Sequence, residues 1–231
     1  MELKLEPTDS VLAVVAHPDD MEYGTSAAVA KWTSEGVEVN YLLLTHGEAG
    51  ISGLDPQETA RVRAKEQRDA CDQVGVGDLT LLEFTDGLLE HTLELRKAIA
   101  AHIRRLKPTV LLTQNFDVFA PWGINQADHR VTGLATIDAA RDAANEWLYP
   151  ELGEKHQATK LLIANPAEPN CAVRIGEGDL QRGVASLTQH RDYLRALPDH
   201  PAPEEIVGGA ARGGGEFLGV DDAIAFAVYD L

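Results

Sequence analysis

Short apolar runs alternate along this chain with longer segments in which apolar and polar positions are mixed. The runs have the length of strands, and their lack of polar positions is typical of strands buried on both faces of a parallel sheet. The predicted strands are Val11–Ala16, Val37–Thr45, Leu79–Phe84, Thr109–Thr113, Lys160–Asn165, Cys171–Ile175 and Ala223–Tyr229. The predicted helices are Tyr23–Ser34, Pro56–Val74, Leu93–Leu106, Asp128–Trp147 and Asp179–Leu197. This order predicts an α/β fold with a mostly parallel sheet and helices on both faces.

One stretch near the C-terminus interrupts this pattern. Five of the eight residues in Gly208–Gly215 are glycine, which is typical of a loop rather than of a helix or strand. We therefore expect a mobile loop there, with a lid over a binding site as the less favoured alternative.

Size and charge narrow the classes of function. A chain of 231 residues predicts one large domain. With 20 basic and 37 acidic residues, the net charge of −17 disfavours binding to nucleic acid or to an anionic membrane surface, but not to a small polar substrate. No apolar run approaches the roughly 20 residues that span a bilayer, and the first residues lack the pattern of a signal peptide, so we expect a cytoplasmic protein. Cys71 and Cys171 lie far apart in the sequence, and we expect both to be buried, inert thiols.

The first predicted strand runs directly into His17-Pro18-Asp19-Asp20. Ligands of open α/β sheets bind at the carboxyl ends of the strands. An imidazole nitrogen and carboxylate oxygens are suitable ligands for a divalent metal such as zinc, and adjacent aspartates can face different ways. The alternative is that Asp19, Asp20 and Glu22 only stabilise the positive end of the following helix.

Three further polar clusters follow predicted strands. They contain His46 in Thr45–Gly50, Asp86 in Thr85–Gly87, and the pair Asp128-His129 in Gln126–Arg130. Because parallel strands bring their carboxyl ends to one edge of the sheet, we expect these clusters to meet the first one there.

The ordered motifs resemble the LmbE/PIG-L family, whose members are zinc-dependent N-acetylglucosaminyl deacetylases and related amidases. The resemblance rests on these residues: His17-Pro18-Asp19-Asp20 with Glu22, Gly47–Gly50, Arg63 with Glu66, Asp86-Gly87, and Asp128-His129. It implies a single Rossmann-like domain over residues 1–231. It also implies a hydrolase that removes an acetyl or other acyl group from the amide nitrogen of an N-acetylglucosamine-type amino sugar.

The same resemblance implies a role for individual residues. His17, Asp20 and His129 would bind one Zn²⁺ per chain, with other divalent metals as alternatives, and Asp19 would be the general base. Asp128 would orient a ligand, and Arg63 and Asp86 would contact the sugar. Gln126, a candidate substrate-binding residue, stands where many members have a histidine that stabilises the oxyanion. Ile124 stands where some members have a tyrosine acid. His46 and His190 are further candidates for the substrate pocket, and Trp122 is a candidate wall for a sugar ring.

Two other classes of function stay open at this point. One is a metal-dependent esterase or phosphoesterase, although the chain's negative charge disfavours phosphorylated substrates. The other is a non-hydrolytic Rossmann-like ligand-binding protein, but no glycine-rich phosphate motif follows the first strand. The expected partner is a small amino-sugar substrate, and a homo-oligomer is compatible with the sequence.

Overall fold

The structure, a computed structural model, describes all of residues 1–231. Nine strands form: β1 Ser10–Val15, β2 Glu38–Leu43, β3 Leu79–Leu81, β4 Val110–Thr113, β5 Phe119–Ala120, β6 Gly123–Ile124, β7 Lys160–Ala164, β8 Cys171–Arg174 and β9 Ala223–Asp230. Seven helices form: α1 Ser26–Ser34, α2 Pro56–Val74, α3 Leu93–Leu106, α4 Ala127–Ala144, α5 Glu177–Thr188, α6 Arg191–Ala196 and α7 Pro203–Leu218. The α/β class predicted from the sequence is confirmed.

Seven of the strands form one sheet in the order β3-β2-β1-β4-β7-β9-β8. The pairs among β3, β2, β1, β4 and β7 are parallel, whereas β9 runs antiparallel to both β7 and β8. The chain leaves β1 towards β2 on one side and later returns to β4 on the other. This reversal of strand order opens a crevice at the carboxyl ends of β1 and β4.

Both faces of the sheet are covered, because successive side chains of a strand point to opposite sides. Val11, Ala13 and Val15 pack into an apolar cluster that includes residues of α1, α2, α5 and α7. Leu12 and Val14 pack into a second cluster that includes residues of α3 and α4. The prediction of helices on both faces is therefore confirmed.

The prediction of a loop at Gly208–Gly215 is wrong, since these residues lie inside α7. Two of the five glycines, Gly214 and Gly215, allow α7 to pack closely against the start of β9. A Cβ built on Gly214 would lie 2.1 Å from the carbonyl oxygen of Ala223, and one on Gly215 would lie 2.4 Å from that of Asp221. Close approach of two backbones therefore explains the glycines at positions 214 and 215.

The prediction of a single helix over Asp179–Leu197 is also wrong, because the helical backbone is interrupted at Gln189 and His190, between α5 and α6. The break turns the imidazole of His190 into the protein interior, where it is fully buried.

The short hairpin of β5 and β6 was not predicted, because strands of two residues carry no periodic pattern. Cys71 and Cys171 are free and buried, as predicted. None of the helices combines the length and low polarity that crossing a bilayer requires.

Candidate metal centre and active site

The predicted site residues of β1 and α4 meet in the crevice between β1 and β4. His17 to Asp20 follow β1 directly, and Asp128 and His129 lie in the first turn of α4. The rings of His17 and His129 come within 5.3 Å of each other, measured between their centroids. For these two clusters, the convergence that the sequence predicted from strand order is confirmed.

The Asp20 carboxylate is fixed by the backbone of its own turn. Its Oδ2 accepts the backbone N–H groups of Ala16 and His17, each at 2.9 Å. Its Oδ1 lies 3.0 Å from Nε2 of His129. Burial alone would raise the pKa of Asp20, but the imidazoles of His129 and His17 outweigh burial and hold that pKa well below its usual range. Asp20 is therefore an ionised ligand candidate held in one orientation.

The tautomer of His129 follows from its contact with Asn125. The amide nitrogen of Asn125 donates to the carbonyl oxygens of Asn115 at 2.8 Å and Asp117 at 3.1 Å, so its Oδ1 is free to accept. Nδ1 of His129 lies 2.9 Å from that oxygen and donates to it. In the neutral ring, Nε2 then carries a lone pair. This buried nitrogen faces the Asp20 carboxylate at 3.0 Å and is the ring atom available to a metal.

Two carboxylates fix the orientation of His17. Its Nε2 lies 3.0 Å from Oδ1 of Asp86 and 3.2 Å from Oδ2 of Asp128. Nε2 therefore donates a proton to these groups, and Nδ1 is turned towards Asp20, 3.7 Å from its Oδ2. A carboxylate behind the imidazole is the usual support for a metal-binding histidine. This geometry agrees with the orienting role that the resemblance implied for Asp128.

Two overlapping groups could hold a metal ion: His17 with Asp20 and His129, and His17 with Asp86 and Asp128. In the second group, both oxygens of Asp128 already accept backbone N–H groups, and those of Asp86 face Ala49 and His17. In the first group, Asp20 accepts backbone N–H groups only through Oδ2 and keeps Oδ1 for a metal. The first group presents the free nitrogen of His129 and the inward Nδ1 of His17. Two imidazole nitrogens and one carboxylate form the ligand set of a catalytic zinc site with a position left open.

The electrostatics of the crevice also favour a cation. Burial alone would lower the pKa of His17, but Asp20, Asp128 and Asp86 outweigh burial and raise it well above the usual value. The acidic groups around this ring therefore stabilise a positive charge at the site, which a divalent metal would supply.

Asp19 pairs with an arginine rather than with the two histidines. Its φ angle of 83° places its backbone in the left-handed region, which residues other than glycine seldom adopt. Its carboxylate accepts a hydrogen bond from Arg63 at 3.1 Å. Burial raises the pKa of Asp19 to about 6, against the opposing charges of Arg63 and His190. The two neighbouring aspartates therefore have different surroundings, as the sequence analysis expected.

Arg63 is more enclosed than a residue that only contacts substrate. Its side chain is 3% exposed, and its guanidinium donates to the carbonyl oxygens of Gly47 at 3.1 Å and Pro18 at 2.6 Å, besides the carboxylate of Asp19. The guanidinium also lies 4.0 Å from the centroid of the Tyr193 ring. In this structure Arg63 holds the His17–Asp20 turn in place.

Two cavities meet at Asp19 and Asp20. The smaller one, of about 170 Å³, is lined by Arg63, Asp86 and Gln126 among others. The larger one, of about 680 Å³, extends from His129 to small and apolar residues of α7 and β9. Trp122 lines this larger cavity, and Gln126 lines both. Three of the predicted substrate-binding residues, Arg63, Asp86 and Gln126, therefore surround the candidate metal centre.

The other two predicted substrate-binding residues lie elsewhere. His46 is 3.1 Å from Glu83 and lines a separate surface cavity with Gln57 and Phe84. The His190 side chain is 0% exposed, and its Nε2 lies 3.4 Å from a carboxylate oxygen of Glu22. It therefore lines neither of the two cavities at the candidate metal centre.

Two site residues escaped the sequence analysis. Asn125 lies four residues before His129, and this spacing across a helix start was the one available signal for their contact. Tyr193 lines both cavities, but it lies on the short helix α6 beyond the region of recognised motifs. Burial raises the pKa of Tyr193, and the charge of Asp19 raises it further, so its hydroxyl stays protonated and can donate.

Comparison with known proteins places these residues in a family. The model of the PIG-L family, described as GlcNAc-PI de-N-acetylase, matches residues 12–140, which include every candidate metal ligand. The chain is 34% identical over 131 residues to the diacetylchitobiose deacetylase of Thermococcus kodakarensis. This match covers 56% of the chain and 48% of that relative, so it spans about half of the relative's length.

Longer matches extend beyond the family model. The mycothiol S-conjugate amidase of Streptomyces coelicolor is 30% identical over 223 residues, covering 85% of this chain and 74% of that protein. The solved structure of N,N'-diacetylchitobiose deacetylase from Pyrococcus horikoshii superposes with a TM-score of 0.83 at 23% identity, over 96% of this chain and 84% of the other, and shows the same fold. The chain belongs to the PIG-L family, which the sequence analysis identified from its motifs.

Proposed function

We propose that this protein is a zinc-dependent hydrolase that removes the acetyl group from the amide nitrogen of an N-acetylglucosamine-type amino sugar or a related conjugate. The observation that carries the proposal is that two neighbouring aspartates have different contacts. Asp20 faces the free nitrogen of His129 at 3.0 Å, whereas Asp19 faces Arg63 at 3.1 Å. One carboxylate is therefore available to a metal and the other to a proton.

The residues present fit the proposed zinc ion. His17 through Nδ1, Asp20 and His129 through Nε2 would hold it, and three protein ligands leave room for water or substrate. The bound metal would supply a Lewis acid that polarises a carbonyl group and lowers the pKa of a coordinated water. Asp128 and Asp86 would keep the His17 ring in the tautomer that this requires.

Asp19 would act as the general base and then as the general acid of the reaction. It lines both cavities at the point where they meet, so it can reach a water that attacks the amide carbonyl. A carboxylate that accepts this proton can then donate it to the departing amine. Arg63 would hold the Asp19 carboxylate in place during both transfers.

Substrate contacts would come from the walls of the two cavities. Gln126 and Tyr193 line both cavities and can donate hydrogen bonds to the amide oxygen or to sugar hydroxyls. Asp86 lines the smaller cavity, although one of its oxygens is already paired with His17. A deacetylase and an amidase acting on amide conjugates are among the relatives, which agrees with an amide substrate.

An assay of amine release tests the proposal. Zinc-loaded protein would be incubated with a panel of N-acetylated amino sugars, and the free amine would be quantified. The same protein would be given matched acetate esters and phosphate monoesters, which represent the alternative hydrolases. Amine release that stops on chelation and returns with zinc supports the proposal. Release from the esters alone, or no reaction with any member, contradicts it.

The proposal extends to the whole chain. Residues 1–231 would act as one catalytic domain, because a single sheet joins β1 near the N-terminus to β9 near the C-terminus. The cytoplasmic location expected from the sequence stays a prediction.

A further inference from the structure

The backbone of Asp19 is held by a buried glutamine. In the left-handed conformation of this residue, its N–H group points away from the cavity and donates to Oε1 of Gln67 at 2.7 Å. Gln67 is 1% exposed, so this hydrogen bond is shielded from water. A left-handed aspartate persists only where surrounding contacts determine it.

The orientation of the Gln67 amide is itself fixed. Its Nε2 lies 3.3 Å from each carboxylate oxygen of Glu22, and a carboxylate can only accept such a bond. Oε1 therefore has to face Asp19. Glu22 is completely buried, with the Ser186 hydroxyl 3.3 Å from one of its oxygens and the His190 ring 3.4 Å from the other.

Gln67 and Arg63 are one turn apart on α2 and reach the two ends of the same residue. Arg63 donates to the carboxylate of Asp19, and Gln67 accepts from its backbone N–H. Residues four apart lie on one face of a helix, so α2 contacts Asp19 as a rigid element at two points. Such two-point contact fixes both the position and the direction of the carboxylate.

We propose that Gln67 is a positioning residue for Asp19, and that the buried Glu22 orients it. This inference rests on the proposed function, in which Asp19 transfers protons. Burying a carboxylate is costly, and an apolar side chain at position 22 would fill the same space at less cost. The arrangement is explained if the carboxylate keeps Gln67 in the one orientation that holds Asp19 ready for reaction.

The first test is kinetic. Gln67→Met keeps the length of the side chain and removes the acceptor, so Asp19 can leave its left-handed conformation. We expect kcat of the zinc-loaded variant to fall about 10- to 100-fold, since small misplacements of a reacting group can cost about 10²-fold. KM should stay within about twofold, and zinc content should be unchanged.

The matched control is Val74→Ala, which shortens a fully buried side chain on the same helix without touching Asp19. It should lose stability like the test variant and keep the kcat of the natural protein. Glu22→Met removes the acceptor that orients Gln67 and should lower kcat in the same direction as Gln67→Met. A Gln67→Met enzyme with full kcat, or one whose kcat falls only as zinc is lost, would overturn the inference.

A second readout does not depend on activity. Amide hydrogen exchange of Asp19, followed by NMR, should be slow in the natural protein and at least about tenfold faster in Gln67→Met. Equal exchange in the two proteins would contradict the positioning role. If the natural enzyme hydrolyses no N-acetylated sugar, the proposed function fails, while the exchange measurement still decides whether Gln67 holds Asp19.

Discussion

The Oδ1 of Asn125 lies 2.9 Å from Nδ1 of His129, and this contact determines which nitrogen of the imidazole faces the Asp20 carboxylate. Because the amide nitrogen of Asn125 is occupied by two backbone carbonyls, its oxygen is the group turned to the histidine. The Nε2 of His129, the nitrogen that would bind a metal, is thus the one directed to the centre of the site.

Asn125→Leu should therefore weaken metal binding without removing a ligand. Loss of a group that orients a metal-binding histidine typically lowers affinity about 10- to 100-fold. The measurement is the zinc dissociation constant, obtained by competition with a chromogenic chelator. Thr136→Ala is the control on α4, since it removes a buried hydroxyl that bonds only the Thr132 carbonyl, and its zinc affinity should stay close to that of the natural protein. An unchanged affinity in Asn125→Leu would show that the contact does not direct His129.

Arg63→Ala should affect catalysis and stability more than substrate affinity. The family resemblance implied a sugar contact, whose loss would raise KM. In the structure, however, the guanidinium binds the carboxylate of Asp19 and two backbone carbonyls. Removing one partner of a buried ion pair costs about 3–5 kcal/mol. We expect a lower free energy of unfolding and a lower kcat, measured by denaturant titration and steady-state kinetics.

The matched control for Arg63 is Arg61→Ala on the same helix. Arg61 is exposed and pairs only with Glu58, so its loss should change the free energy of unfolding by less than about 1 kcal/mol and leave kcat unchanged. If Arg63→Ala raises KM alone and keeps kcat, the sugar contact predicted from the sequence is the better account.

Much of this site could be predicted from sequence because its parts are attached to regular elements. The run Val11–Ala16 ends at His17, and strand order alone brings His129 to the same edge of the sheet. The contacts around Asp19 could not be predicted in this way. They depend on the rotation of α2, which sets Arg63 and Gln67 against the turn, and on the break before α6, which brings Tyr193 to the cavity and buries His190.

The wrong prediction of a loop at Gly208–Gly215 also arose because a contact between two elements could not be predicted from the sequence. Glycine lowers helix propensity, so the sequence favoured a loop, but close packing of α7 on β9 overrides propensity. The contact that decides the matter lies between residues on two different elements, Gly214 and Ala223, and is invisible to a local pattern.

Gly214→Ala should therefore destabilise the protein although alanine is the better helix former. The added Cβ would lie 2.1 Å from the carbonyl oxygen of Ala223, and overpacking of this kind costs typically about 1–3 kcal/mol. Gly209→Ala is the control on the same helix, because a Cβ there meets nothing within 4 Å. It should stabilise the protein by up to about 1 kcal/mol. Thermal unfolding of both variants checks the pair, and a stabilised Gly214→Ala would mean that α7 does not pack as described.

The most direct test of the account compares Asp19→Asn with Asp20→Asn, measuring zinc content and kcat on the same samples. Asp19→Asn should retain about one zinc per chain while kcat falls by about 10²–10⁴, the usual contribution of general acid–base catalysis. Asp20→Asn should lose tight zinc binding, because an ionised ligand has been replaced by a neutral amide. If Asp19→Asn keeps its rate, or if Asp20→Asn keeps its zinc while Asp19→Asn loses it, the division of roles between the two aspartates is contradicted.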